Sequence, residues 1–426
     1  MLEPAIVNSY IDVLRDELLL ATGCTEPIAI AYAGALLRKH LGAVPEKILV
    51  EVSGNIIKNV KSVVVPNTGR LKGIRAAVAA GVIAGEADQQ LQVISSVSPE
   101  FHPDIAVYAN DASMEIVCAD TPWLLDIQLT GWKGEDRALV RIADTHANVV
   151  RIEKNGEIIF DKALPEPGVD TSIDKSFMSV EGILEFAETV DLDRVKELLD
   201  RQINYNTAIA QDGLENDWGA NIGSVLLKDY PMDIKNEAKA WAAAGSDARM
   251  SGCERPVVIV SGSGNQGMTA SLPVIRYAKH LGVSQEKLYR ALLVSDLVTI
   301  HQKTGIGRLS AYCGAISAGV GAGAGIAYLL EGTYHAVAHT IVNAVAILSG
   351  TICDGAKASC AAKIAASVDA GIMGYHMYRN NQQFRGGDGI ITKGVENTIA
   401  NVGILAKQGM QQTDRVILDI MTTRCN

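Results

Sequence analysis

The chain is poor in aromatic side chains, which make up 5% of its 426 residues, against 40 glycines. A core built this way relies on small aliphatic groups, and small groups let helices approach closely. Positive charge is also scarce. The 38 Lys and Arg face 48 Asp and Glu, a net charge of −10, with no long basic run and no alternation of basic and aromatic residues. That argues against nucleic acid as a partner. The opening stretch MLEPAIVNSYIDVLRDELLL lacks a basic lead, an apolar core and a cleavage site, so a cytoplasmic location is expected. The most apolar stretch, Ala311–Leu330, owes its character to Ala and Gly, which transfer weakly into lipid. It is expected to form buried helix rather than a membrane span. Cysteines number seven, an odd count spread along a long chain, so no disulfide framework is expected. HExxH, compact zinc or cluster spacings, the P-loop lysine and a GxGxxG inside an intact βαβ unit are all missing.

What is present suggests two domains and an α+β fold. Helical spacing of Ile11, Leu14 and Leu18 predicts a first helix, and Ile28–Lys39 a second, with Thr25 as N-cap and Pro27 in its first turn. From about Ala43 the period changes. KILVEVSG, LQVISSV, SMEIVCAD, LLDIQLTG and the run Ala138–Phe160 read as strands of an antiparallel or mixed sheet, with Asn155–Gly156 as a hairpin turn and GIRAAVAAGVIAG as an interrupting helix. After the linker KALPEPGVDTS, helices dominate from Phe177 onward. The expected organisation is a mainly helical domain from residues 1–42 and 166–426, with an α+β domain of residues 43–165 inserted.

Several segments could carry chemistry. Cys313 sits in a glycine-rich stretch, and Cys353 and Cys360 flank CDGAK, which reads as a tight loop leading into a helix. Three such thiolates suit a [4Fe–4S] cluster with one open iron, but spacing alone equally fits buried thiols or a nucleophile. VVIVSGSGNQGM places Ser263, Asn265 and Gln266 between a strand and a helix, where free N–H groups favour a small anion. Ser53 and Asn55, with Asn67 and Thr68, form a smaller parallel that reads as turns or as a cleft wall. His301, Lys303 and Arg308 share one stretch, and Lys357 is a candidate charge partner between two cysteines. His335 and His339 lie four apart, but without HExxH they read as an ordinary helix pair. Cys24 precedes a helix N-terminus, which would favour its thiolate.

Together, GCTEP at Gly23–Pro27, SGN at Ser53–Asn55, GSGNQG at Gly262–Gly267, CGAISAGVGAGAG from Cys313 and CDGAKASC at Cys353–Cys360 resemble the UPF0597 family. That family includes L-cysteine desulfidases and is related to the α subunit of iron–sulfur L-serine dehydratases. The resemblance implies a lyase that works with a [4Fe–4S] cluster and without pyridoxal phosphate or a nucleotide. It would release pyruvate, ammonia and sulfide from L-cysteine, with L-serine or another small hydroxy or amino acid as the alternative substrate. Cys313, Cys353 and Cys360 match the cluster ligands. Cys24 would be a displaceable fourth ligand or the general base, with His301 and Lys303 as other bases and Glu26 orienting the substrate ammonium or relaying a proton. Thr25, Ser53, Asn55, Asn67, Thr68, Ser263, Asn265, Gln266 and Lys357 would bind substrate. A non-catalytic iron–sulfur sensor and a metal-free binding protein remain competing classes. No membrane partner is implied, and a homo-oligomer is left open.

Overall fold

A computed structural model describes residues 2–111, 113–164, 173–307 and 310–423. Arg308, Cys425 and most of the expected linker lie outside the described residues. The chain begins with α1 (Pro4–Glu17), a short strand β1 (Leu20–Thr22) and α2 (Thr25–Leu41). There follow β2 (Lys47–Val52), α3 (Gly54–Val60), α4 (Gly73–Ala84), α5 (His102–Ala109), β3 (Met114–Cys118), β4 (Asp126–Lys133), β5 (Asp136–Ala143), β6 (Val149–Lys154) and β7 (Glu157–Asp161). Helices then take over: α6 (Val180–Thr189), α7 (Lys196–Glu215), α8 (Ile222–Asp229) and α9 (Ile234–Met250) lead to a short strand β8 (Pro256–Val258). The last run is α10 (Gly264–Leu281), α11 (Gln285–Ile306), α12 (Gly314–Leu330), α13 (Tyr334–Leu348), α14 (Ser359–Arg379), α15 (Val395–Ile404) and α16 (Gln411–Thr423). The fold is α+β, with a six-stranded mixed sheet in the order β3-β2-β4-β5-β6-β7. Only β2 and β3 run parallel; the other neighbours are antiparallel.

The β-periodic segments take their expected places, and Asn155 and Gly156 both have positive φ, as a tight hairpin requires. LQVISSV does not form the expected strand. It is a string of tight turns whose Val93 and Ile94 are buried, and Asn67 Nδ2 donates to the Ile94 carbonyl at 2.9 Å where a ladder bond would have been. SGNIIKN, expected to be a strand-end turn, continues into the helix α3. Helix α2 starts at the residue expected to cap it, Thr25, so the cap position falls one residue earlier, on Cys24.

Two large apolar cores form. One gathers α1 and most of the later helices; the other gathers α2, α4 and the sheet. Helix α2 therefore shares the sheet's core, and the chain crosses between the cores near Cys24. Within the helical half β1 pairs antiparallel with β8, and the two halves are joined by α16, whose Asp414 accepts from the buried Lys58 of α3 at 2.5 Å.

Helix α12 runs through the middle of the helical half and is buried from Ala315 to Leu329. Among the described residues no helix is long and apolar enough to cross a membrane. Glycines on two faces of α12 set its distance to its neighbours. A Cβ on Gly319 would lie 2.4 Å from backbone atoms of Ser367 in α14, and one on Gly321 would lie 2.1 Å from Thr299 Oγ1 in α11. On α14, a Cβ at Gly371 would lie 2.2 Å from the Gly319 carbonyl oxygen. Backbone, not a movable side chain, is what it would strike.

We expect Gly371→Ala to part α12 from α14 and to lower stability by about 1–3 kcal/mol. An unchanged urea midpoint would reject this account of the packing. A second expectation concerns Asp296, fully buried on α11, with Oδ1 accepting from Gln202 Nε2 at 2.9 Å and Oδ2 without a partner. Burial raises its pKa to about 7. A folded pKa above the unfolded one means that stability is full at acid pH and is lost as pH rises toward and through 7. Asp296→Asn should therefore be more stable to urea than the parent at pH 8, by an amount on the order of a few kcal/mol. The gap should close near pH 4, and a gap independent of pH would contradict the assignment.

Candidate functional site

Where the two cores meet, a cavity of about 120 Å³ is walled by residues from both. The sheet side supplies Cys24, Thr25, Glu26, Lys58, Asn59 and His146. The helical side supplies Arg249, the turn and helix start at Ser261–Gln266, Lys303, and all three of Cys313, Cys353 and Cys360. A larger cavity of about 670 Å³ adjoins it and shares Thr25, His146, Gly262 and Ser310 as walls.

Local backbone structure explains why the cysteines meet. Tyr312 and Ile352 form an antiparallel bridge, with Cys313 N–H donating to Thr351 O at 3.0 Å and Cys353 N–H to Ala311 O at 2.6 Å. Cys313 and Cys353 thus sit on adjacent extended segments. CDGAK is a loop, and α14 begins at Ser359, so Cys360 falls in its first turn. Gly355 has φ +93°, and a Cβ there would lie 2.1 Å from the Lys58 carbonyl oxygen, so the loop presses directly onto α3.

Four helices begin at this cavity. Cys24 is the N-cap of α2, Ser263 of α10 and Cys313 of α12, and α14 starts beside Cys360. None of the four has a side-chain cap hydrogen bond, whereas α6, α9, α11 and α13 are capped by Ser179, Asp233, Ser284 and Thr333. Uncapped first-turn N–H groups and the positive ends of the helix dipoles make the cavity favourable for anions.

The thiols are nevertheless not free thiolates. Burial, then the Glu26 carboxylate, push the Cys24 thiol well above its usual range. This overturns the expectation from its helix position. A helix terminus contributes about 0.3–1 kcal/mol, less than about one pKa unit, while full burial can shift a group by roughly 3–5 units. Cys24 Sγ instead donates to Glu26 Oε2 at 3.1 Å. Burial, reinforced by Cys353, pushes Cys313 up to about 12, and burial also raises Cys360. Burial pulls Lys303 down to about 8.

Glu26 is the anionic centre of the wall. It accepts from Cys24 Sγ, from Thr25 Oγ1 at 3.2 Å and from Asn59 Nδ2 at 3.1 Å. Although burial works to raise its pKa, His146, the Cys24 thiol and Arg249 hold it below the ordinary carboxylate value. Thr25 Oγ1 also approaches the Gly262 carbonyl at 3.3 Å, tying GCTEP to GSGNQG.

Other expected site residues stay out of the cavity wall. His301 Nε2 is paired with Glu396 Oε2 at 2.7 Å, and Glu396 Oε1 caps α6 by accepting from Val180 N at 2.7 Å, so His301 fastens three helices. Ser53 Oγ donates to Leu124 O at 2.7 Å, and Thr68 Oγ1 donates to Val65 O at 2.7 Å. Asn67 holds the turns described above, and Asn55 is buried in the first turn of α3. Lys357 pairs with Asp354 at 2.5 Å outside the wall; Lys363, one helical turn beyond Cys360, takes the place expected for it. Both lysines donate to Asp354, which is held down to about 2 despite its burial. His335 and His339 stack in a row with Tyr378, away from the cavity.

Lys58, Asn59, His146, Arg249 and Lys363 escaped the sequence reading. Lys58 and Asn59 lie in the last turn of α3, in a segment read as a strand-end turn in which only Ser53 and Asn55 stood out. His146 lies in the β5–β6 connection, inside the run Ala138–Phe160 read as strands, and Arg249 lies in the last turn of an alanine-rich helix with no motif around it.

Among the described residues, no three His, Cys, Asp or Glu side chains are grouped so as to hold a single metal ion. An iron–sulfur cube asks for something different, because its thiolate ligands bind separate irons around a cavity. Cys313, Cys353 and Cys360 on one wall, with Lys303 and Lys363 to offset thiolate charge, fit such a group.

Residues 73–419 match the family described as serine dehydratase alpha chain. The chain is 59% identical over 419 residues to a UPF0597 protein of Desulfitobacterium hafniense, covering 98% of this chain and 97% of that one. It is 50% identical to a UPF0597 protein of Lachnoclostridium phytofermentans (97% and 99% covered), and 46% identical to one of Treponema denticola (97% and 97% covered). On a match that spans both halves of the fold and every wall of the cavity except those before residue 73, which the full-length relatives cover, the chain belongs to the UPF0597 family and carries a serine dehydratase alpha-chain domain.

Proposed function

We propose that the protein is an iron–sulfur-dependent, pyridoxal-phosphate-independent lyase that eliminates sulfide from L-cysteine. The observation that carries this reading is the meeting of GCTEP, GSGNQG, Lys303 and three cysteines around one cavity. The serine dehydratase alpha-chain domain supports the reaction class, ammonia-releasing elimination from a small amino acid. Cys313, Cys353 and Cys360 would hold a [4Fe–4S] cluster, with Cys24 facing it. When bound, the cluster would supply a Lewis-acidic iron that binds the leaving group.

The chain's own residues supply the rest. Glu26, ionised and fixed by three donors, is placed to take the α proton, and the Cys24 thiol orients its Oε2. This reading moves the base from Cys24 to its neighbour. Lys303, whose pKa of about 8 leaves it largely protonated at neutral pH, is placed to give a proton to the departing sulfur. Ser263, Asn265 and Gln266 bind the charged end of the substrate at the start of α10. The C–S bond breaks as the α proton leaves, giving aminoacrylate and sulfide. Aminoacrylate takes up a proton to become the imine, and water converts that to pyruvate and ammonia. L-Serine would lose water by the same route, but hydroxide is the poorer leaving group.

The test is the protein reconstituted with iron and sulfide without oxygen. It should form pyruvate and sulfide in equal amounts from L-cysteine, faster than pyruvate from L-serine. Absence of pyruvate from both substrates at full iron loading would reject the lyase. Cys353→Ser should lose bound iron and activity together. Glu26→Gln should keep its iron, lose at least about 100-fold in turnover, and lose exchange of the α proton with deuterated water. Cys24→Ala should also keep its iron and lose less. If Cys24→Ala abolishes exchange while Glu26→Gln retains it, the base is Cys24 after all.

A further inference from the structure

Arg249, the penultimate residue of α9, is 3% exposed; its charge helps to hold down the pKa of Glu26, yet among the described residues it forms no salt bridge. Its Nη1 donates to Asn265 Oδ1 at 3.2 Å, and its Nε has no partner at all. The guanidinium lies on the cavity wall beside the first turn of α10. A Cβ at Gly264 would lie 2.4 Å from Arg249 Nε, so this glycine of GSGNQG is the space in which the arginine lies. On the same wall the buried Gln266 Oε1 is also without a partner, and the N-cap Ser263 makes no cap bond.

A buried cation with an idle donor is costly unless something fills its hydrogen bonds and balances its charge. Glu26 shares the cavity and feels the Arg249 charge, but its oxygens are taken by three other donors, so the Arg249 hydrogen bonds stay unfilled. The geometry points to an anion as the missing partner. We infer that Arg249, with the uncapped start of α10, receives the α-carboxylate of the substrate, and that Asn265 orients the guanidinium for it. A planar guanidinium fork matches a carboxylate in two parallel hydrogen bonds. GSGNQG then serves in two ways: its backbone N–H groups face the anion, and its Gly264 admits the arginine. The inference rests on the reading above that the site takes a small amino acid.

The experiment uses anaerobically reconstituted protein and L-alanine, which has the carboxylate and ammonium of the substrate but no leaving group. Binding is followed by calorimetry, so it does not depend on turnover. The parent should bind L-alanine, and L-alaninamide, which lacks the carboxylate, should bind at least about 10-fold more weakly. Arg249→Gln should weaken L-alanine binding by about 10- to 100-fold with iron content unchanged, and Arg249→Lys should recover part of the loss. Equal binding of L-alanine and L-alaninamide by the parent overturns the inference, and needs no variant to fold. So does an Arg249→Gln protein that binds L-alanine as the parent does. Loss of iron in Arg249→Gln would instead assign the arginine to the cluster thiolates, and inorganic phosphate displacing L-alanine at equal concentration would mark a general anion site; either result rejects the carboxylate assignment. Failure of the lyase reading shows separately, as L-alanine binding that depends on Arg249 in a protein that forms no pyruvate.

Discussion

The close backbone approach of α12 to α14 and α11 is the constraint on which the site depends. Gly319, Gly321 and Gly371 leave no room for even a methyl group at these crossings. Such contact fixes the axial position of each helix as well as its distance, because close-packed interiors deform little. The starts of α12 and α14, and with them Cys313 and Cys360, are therefore held in a fixed relation. The bridge between Tyr312 and Ile352 adds Cys353 to the same frame. A core rich in bulky aromatics would hold these helices farther apart.

Electrostatics explains why that frame faces a cavity and not solid core. Four helix starts without side-chain caps, together with Arg249, Lys303 and Lys363, surround a small volume in which Glu26 is the principal anion. Such an arrangement is unfavourable when empty of anions and favourable when thiolates and a carboxylate enter it. Burial raises the thiol pKa values and lowers that of Lys303, so the protein by itself keeps these groups closer to neutral than their ordinary values would. Ligands that bring or require negative charge reverse that balance. The same reasoning separates Glu26 from Asp354 beside the site: Asp354 is spent on two lysines that hold the cysteine loop, while Glu26 is presented to the cavity by neutral donors.

The crossover between cores gives the site its two-sided character. GCTEP leaves β1 in the helical half and enters α2, which belongs to the sheet. The candidate acid–base residues Cys24 and Glu26 therefore stand on one body and the proposed cluster cysteines on the other. The Lys58–Asp414 pair, with Lys58 itself on the cavity wall, links the bodies a second time.

The sequence alone determined the α+β class, most helices and strands, and the motifs that reach the cavity. These rest on local rules: apolar periodicity, Asn-Gly at a hairpin and glycine at tight turns act over a few residues. Cys24, Thr25, Glu26, Ser263, Asn265, Gln266, Lys303, Cys313, Cys353 and Cys360 all carried such a signal and all line the cavity. Only the tertiary structure decided which polar residues join them. Asn59 and Lys363 enter because of helix phase, His146 because a hairpin connection folds over the wall, and Arg249 because α9 ends against Gly264. His301 and Lys357, equally suitable by type, are taken up by Glu396 and Asp354. The charge state of Cys24 likewise belonged to the fold, since burial and the neighbouring carboxylate outweigh the helix terminus that its sequence position advertises. Residue type and spacing state what a side chain can do, while burial and partners, which come from residues far away in the chain, decide what it does.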